Sequence, residues 1–386
     1  MRVYLDHNAG APMRPAAIAA MTRVAYECHG NPAAVNRAGQ YARKILEEAR
    51  ARVASAIGAP SRDLVFTSGG TEANNLAVFG SARASGGRRR IITSAIEHSS
   101  LLAPIAELER SGLMVERLTP DRDGRIDPDQ IRAVLGDDVA LVTLGLANAE
   151  VGTIQQVAGI AEATSRVGAM FHLDAAQALG RIPLDVATVG CDLMTLSAHK
   201  VGGPAGCGAL YVRRGARIEP ITLGGPQEAG LRAGTPNLSG IAGFGIAATA
   251  LIGDALQHES RRIAGLADDL YQRLMASIPG LILNGPDQGR LPNTLNLTFP
   301  QVLGESLLIA LDLEGIEVSM GSACAAGSVE PSHVLLAMGR TIAAARSSLR
   351  ISLGWNTTAD EVDHAAAIIP RIYRQVGAVS DNAEAA

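Results

Sequence analysis

The sequence predicts an α/β protein: a large, mostly parallel sheet covered by helices on both faces, then a smaller α+β part. Two features of the chain carry this. From about residue 15 to 250, short apolar runs alternate with amphipathic stretches, the signature of repeated βα units. After about residue 238 a long helical pattern runs to Ile278, where Pro-Gly closes it, and strands then mix with helices. Composition agrees: aromatics are 3% while glycines number 42, so small side chains allow tight helix–sheet contacts. At 386 residues the chain exceeds what one core usually serves. The expected division is 1–14 as an N-terminal segment packed with the smaller domain, 15–255 as the large domain and 256–386 as the C-terminal domain.

Taken in order, Pro15 suits the first turn of a helix ending near Gly30. Strands are expected at Asp63–Thr67, Arg90–Thr93, Met114–Leu118, Val139–Leu144, Ala169–Leu173, Leu193–Leu196 and Gly208–Val212, with helices such as Ser99–Arg110 and Val157–Val167 between them. Thr294–Phe299, Ile316–Ser319 and Leu349–Ser352 are the strands of the C-terminal part.

Net charge is −4 with a pI near 6.1, which leaves no footprint for nucleic acid or an anionic membrane. Arg88, Arg89 and Arg90 form the only basic cluster and read as a solvated loop. The N-terminus lacks a signal-peptide pattern, and the apolar run Ile241 to Gly253 is too short to span a bilayer. Cys28, Cys191, Cys207 and Cys324 are widely spaced without C-x-x-C, which argues against a disulfide framework or zinc site and for a reducing, cytoplasmic setting.

Polar residues close successive predicted strands, where ligands bind in open α/β sheets. Lys200 follows one in Ser-Ala-His-Lys-Val-Gly-Gly-Pro. Asp174 ends another and is either an acid facing a ring nitrogen or the cap of a following helix, on which Gln177 can reach a ring hydroxyl. Thr67-Ser-Gly-Gly-Thr-Glu is a strand, turn and helix start, so backbone N–H groups and the Thr71 hydroxyl can face an anion, with Ser197 and His199 completing the ring of donors. His98 can stack on a ring or shuttle a proton, and Asn148 can contact ring or substrate. Schiff-base lysine, acid, phosphate cradle and stacking group together are what pyridoxal phosphate needs. Cys324, in Gly-Ser-Ala-Cys-Ala-Ala-Gly, lacks apolar anchors and is either an incidental cysteine or a travelling thiolate. Arg350 is either a bidentate grip for an α-carboxylate or a surface residue beside Ser348 and Ser352.

Over nearly its whole length the chain resembles the NifS/IscS cysteine desulfurases, class V of the fold-type I pyridoxal-phosphate enzymes. The matching motifs are Thr67-Ser-Gly-Gly-Thr-Glu-Ala-Asn-Asn, Ile96-Glu-His, Asp174-Ala-Ala-Gln, Ser197-Ala-His-Lys, Arg232-Ala-Gly-Thr, Gly321-Ser-Ala-Cys and Glu330-Pro-Ser-His-Val-Leu. The resemblance implies Lys200 as the Schiff-base lysine, Asp174 and Gln177 as ring contacts, and His98 stacked on the ring. Gly70, Thr71, Ser197 and His199 would hold the phosphate, Thr235 that of a neighbouring subunit in a homodimer. Asn148 and Arg350 would hold the carboxylate of L-cysteine, and Cys324 would carry the persulfide to an acceptor such as an iron–sulfur scaffold. No structural metal is implied, Cys324 being at most a transient iron–sulfur ligand. Selenocysteine lyase or class V aminotransferase activity is the enzymatic alternative, and a cofactor-free binding protein the non-enzymatic one. The chain departs from the family pattern at Gly10, Ala11, Ala149, Ala205, Pro226 and Ala233, around the rim of the expected pocket.

Overall fold

The computed structural model describes residues 1–321 and 330–384, the last six by backbone alone. Its strands are β1 (Val3–Tyr4), β2 (Leu64–Thr67), β3 (Arg90–Ser94), β4 (Met114–Leu118), β5 (Val139–Gly145), β6 (Met170–Asp174), β7 (Leu193–Ser197), β8 (Gly208–Val212), β9 (Ile282–Asn284), β10 (Thr294–Thr298), β11 (Ile316–Glu317) and β12 (Ser348–Ser352). Seven form one sheet in the order β2-β8-β7-β6-β5-β3-β4. Only β8 runs against its neighbours, so β2, β3, β5, β6 and β7 all end at one edge. A continuous apolar composition explains their central place: every residue of β2 and β7 is buried.

Helices α1 (Pro15–Glu27), α2 (Arg37–Ser55), α3 (Gly70–Arg83) and α4 (Ser99–Arg110) begin the covering layers. The core under this sheet includes Ile92, Val142, Phe171, Met194 and Phe244, all fully buried. A second core, with Leu295, Phe299, Leu311 and Ile351, lies around the antiparallel sheet β12-β10-β9 and takes in Val3 and Leu5. The N-terminus reaches it because β1 pairs in parallel with β11.

Several local expectations are corrected. The helical pattern to Ile278 is two helices, Leu238–Thr249 and Gly253–Ser277, bent by 78°. Gly253 sits at φ 58, where a helix cannot continue. The helix expected from Val157 starts at Ile160, after Gly159 at φ 76. Asp63 belongs to a 3₁₀ turn before β2, and β11 is shorter than Ile316–Ser319. The arginine cluster is tied down: Arg90 pairs with Asp138, and Arg88 donates to the carbonyls of Val139 and Val167. Among the described residues, no single helix is long and apolar enough to cross a membrane.

Candidate active site

The edge where the parallel strands end opens into a cavity of about 820 Å³. That is room for a cofactor and a small substrate together. Gly70, Thr71, His98, Asn148, Asp174, Gln177, Ser197, His199, Lys200 and Arg350 all line it. Thr235 does not: it is exposed, outside this chain's cavity. Cys324 lies outside the described residues.

The anion cradle is built by the turn from β2 into α3. Gly69 caps α3 at φ 153 and ψ 176 and supplies no side-chain cap, so the first N–H groups of the helix are left for a ligand. Opposite them, Ser197 Oγ lies 3.0 Å from His199 Nδ1. Burial, and then the charges of Lys200 and Arg181, push His199 down to about 4, so the ring is neutral at pH 7.

Lys200 follows β7 and points its amine back at the N-terminal segment, where Nζ donates to Asn8 O at 2.5 Å and Ala9 O at 2.9 Å. Asp174 ends β6. Its Oδ1 accepts from Ala176 N at 2.9 Å and its Oδ2 from Asn74 Nδ2 at 2.7 Å. The chain after Asp174 makes a turn and not the expected helix, because the Asp174 Oδ1 bond and the Ala178 and Leu179 N–H groups close on this one turn. Gln177 still reaches the site, with Nε2 on Asn8 O at 3.0 Å and a buried Oε1 that has no protein partner. Asn148 commits its Oδ1 to the N–H groups of Glu150 and Val151 and one Nδ2 hydrogen to Ile96 O, which leaves the other for a ligand.

Arg350 is not the surface residue that the sequence also allowed. The residue is 1% exposed and its Nη2 meets Asp6 Oδ1 at 2.5 Å. Its Nε is buried without a protein partner, a donor held in reserve at the cavity. Ser348 and Ser352, read as outward neighbours, are buried too.

Lysine, carboxylate, uncapped helix start, the spare Gln177 acceptor and the spare Arg350 donor form the set of groups that an aldehyde-bearing phosphorylated pyridine and an amino acid require. Fold and site thus define the pyridoxal-phosphate class. The sequence family described as class-V aminotransferase matches residues 3–364. "Cysteine desulfurase IscS" of Dictyoglomus turgidum is 42% identical over 98% of this chain and 96% of its own length. Among solved structures, a "NifS-like protein" has a TM-score of 0.88 at 34% identity, covering 96% of this chain and 99% of the other. A structure titled "SspA in complex with cysteine" has a TM-score of 0.81 at 32% identity, covering 92% and 100%. The chain belongs to the class-V aminotransferase family and, within it, to the cysteine desulfurases, which are pyridoxal-phosphate enzymes.

Sequence reasoning assigned no role to Asp6, Asn8, Asn74, Glu97, Ser100 or His333. Asn8 is a hub: besides Lys200 and Gln177 on its carbonyl, Nδ2 donates to Ala149 O and Thr294 Oγ1. His333 Nε2 contacts Glu97 O at 3.1 Å. Burial pushes the Glu97 carboxyl up to about 7, against hydrogen bonds from Ser94 and Gly145. The signal was present for half of them, since Asn74, Glu97 and His333 fall inside the matched motifs. The departure at Ala149 leaves the contact intact, because its backbone oxygen serves Asn8 and Arg350.

Proposed function

We propose that the cavity binds pyridoxal phosphate and L-cysteine, and that the chain releases the cysteine sulfur onto Cys324 as a persulfide, leaving L-alanine. The observation that carries this is the convergence of Lys200, Asp174 and the α3 N-terminus on one cavity with a spare arginine donor. Bound there, the cofactor withdraws electrons from the substrate α-carbon and loosens its proton. Lys200 Nζ, held by the carbonyls of Asn8 and Ala9, takes that proton and returns it. Asp174 would keep a proton on the ring nitrogen, Gln177 with its spare Oε1 would hold the ring hydroxyl, and the α3 N–H groups with Thr71, Ser197 and His199 would hold the phosphate. Arg350 Nε and the second Nδ2 hydrogen of Asn148 orient the substrate carboxylate. In the transfer, the substrate C–S bond breaks and an S–S bond to Cys324 forms; the β-carbon keeps the electron pair and gains a proton, becoming the alanine methyl.

The same reading makes the working unit a homodimer, with exposed Thr235 serving the phosphate of the second copy. It divides the chain at 15–255 and 256–386, and places it in the cytoplasm feeding an iron–sulfur scaffold. Lys200→Ala should lose the visible cofactor band and sulfide release, whereas Cys324→Ala should keep the band and lose sulfide release. Undiminished sulfide from Cys324→Ala would remove its persulfide role. Pyruvate with an aminated acceptor, in place of alanine, would turn the assignment to transamination.

A further inference from the structure

A chain of hydrogen bonds runs from Asp174 behind the cavity wall to His98. Asn74, on α3 and 1% exposed, donates from Nδ2 to Asp174 Oδ2 at 2.7 Å and to Ser100 Oγ at 2.8 Å. Ser100 Oγ in turn lies 2.7 Å from His98 Nδ1. We infer that Asn74 and Ser100 are positioning residues that hold His98 as a neutral imidazole with its proton on Nε2.

Each orientation follows from the one before. The Asp174 carboxylate only accepts, so the amide atom facing it is Nδ2 and not Oδ1. Both Nδ2 hydrogens are then spent, one of them on Ser100 Oγ. His98 caps α4, and the Ser100 backbone N–H donates to its Nδ1 at 3.1 Å. A backbone N–H cannot accept, so Nδ1 carries no proton. The Ser100 hydroxyl, having accepted from Asn74, gives its own proton to the same nitrogen. An imidazolium would break both bonds to Nδ1 and place a positive charge on the positive end of the α4 dipole.

Among the described residues, the titratable groups around His98 are Asp174 at the end of β6, Lys200 and His199 beyond β7, His333 at the start of the helix His333–Ala337, and its chain neighbour Glu97. Burial, Lys200 and His333 disfavour the charged ring; Asp174 opposes them but spends an oxygen on Asn74. In the neutral tautomer His98 carries its N–H at Nε2 and does not compete with Lys200 for positive charge. Its bearing on catalysis rests on the desulfurase reading; the tautomer itself does not.

The test is NMR of the holoenzyme labelled with 15N in its histidine rings, His98 being identified by the signal lost in His98→Gln. The wild-type ring should be in the Nε2–H form at pH 7. Ser100→Ala should move its protonation upward by about one pH unit, a tenfold change in protonation constant. Ser100→Thr, which retains the hydroxyl, should restore the wild-type signal. Asn74→Ala should shift it in the same direction by less, and both alanine variants should lose sulfide release on the acid side of the new midpoint. An Nδ1–H ring or an imidazolium at neutral pH in the wild type overturns the assignment without any variant, as does a Ser100→Ala signal that does not move. Failure of the desulfurase reading would show separately, as a wild-type protein without cofactor absorbance or sulfide release.

Discussion

Arg350 shows what a single buried donor does at this edge. Its guanidinium is divided between Asp6, which neutralises it, and an Nε left over for a ligand. A fork spreads its donors over two separated sites; an ammonium presents them from one point on a shorter reach. Arg350→Lys should therefore keep the pair with Asp6 and give up the substrate carboxylate. The expected result is a rise in KM for L-cysteine of roughly tenfold or more, ~1.4 kcal/mol of lost binding, with kcat reduced less. An unchanged KM would mean the carboxylate is held elsewhere. Replacing the residue by alanine is a different experiment, because Asp6, only partly buried, would then stand unpaired beside the cavity.

At the scale of elements, the turn from β2 to α3 depends on backbone alone. Gly69 at φ 153 and ψ 176 occupies a region that side chains avoid. Gly208 lets the neighbouring strand pass so close that a Cβ there would stand 2.5 Å from Gly69 C. Gly69→Ala should cost about 1–3 kcal/mol of folding stability and weaken cofactor retention by displacing the N–H groups that start α3, read as faster loss of visible absorbance on dialysis. Retention equal to wild type would separate the cradle from this turn. Strands β5 and β7 were legible in the sequence because buried parallel strands are near-continuous apolar runs, and β4, β8 and the helix Ser99–Arg110 also fall where the pattern put them. The break before Gly253 was not, because a glycine within helical periodicity does not reveal its φ. The choice between the two readings of Arg350 was hidden for another reason. Its burial is decided by Asp6, 344 residues away in sequence, which no local pattern encodes.

Over the whole molecule, the segment Leu5 to Asn8 binds the two sheets together at Lys200. His7 N donates to Ser352 O of the small sheet, while Asn8 O receives Lys200 from the large one. Asn8 Oδ1 also takes Arg181 and Asn293. Buried titratable groups set how stability responds to pH, and they oppose one another. His172, fully buried between the Thr143 and Thr195 hydroxyls, is pushed by burial from its ordinary 6.5 down to about 4. Its unfolded form binds a proton more readily than the folded one. Its contribution is therefore complete above about pH 6.5 and lost as pH falls toward 4, about 3 kcal/mol in all. His7, also pushed down to about 4 by burial, adds in the same sense. Glu97 has the opposite sign. Burial raises it from 4.5 to about 7, so its contribution is complete below 4.5 and lost as pH rises through 7. Between about pH 4.5 and 6.5 the Glu97 proton thus cancels one of the histidine protons. Glu97→Gln should remove that cancellation and steepen the rise of unfolding free energy across this window by up to about 1.4 kcal/mol per pH unit. Urea unfolding of wild type and variant at a series of pH values measures it, and parallel curves would show that Glu97 does not hold its proton in the folded protein.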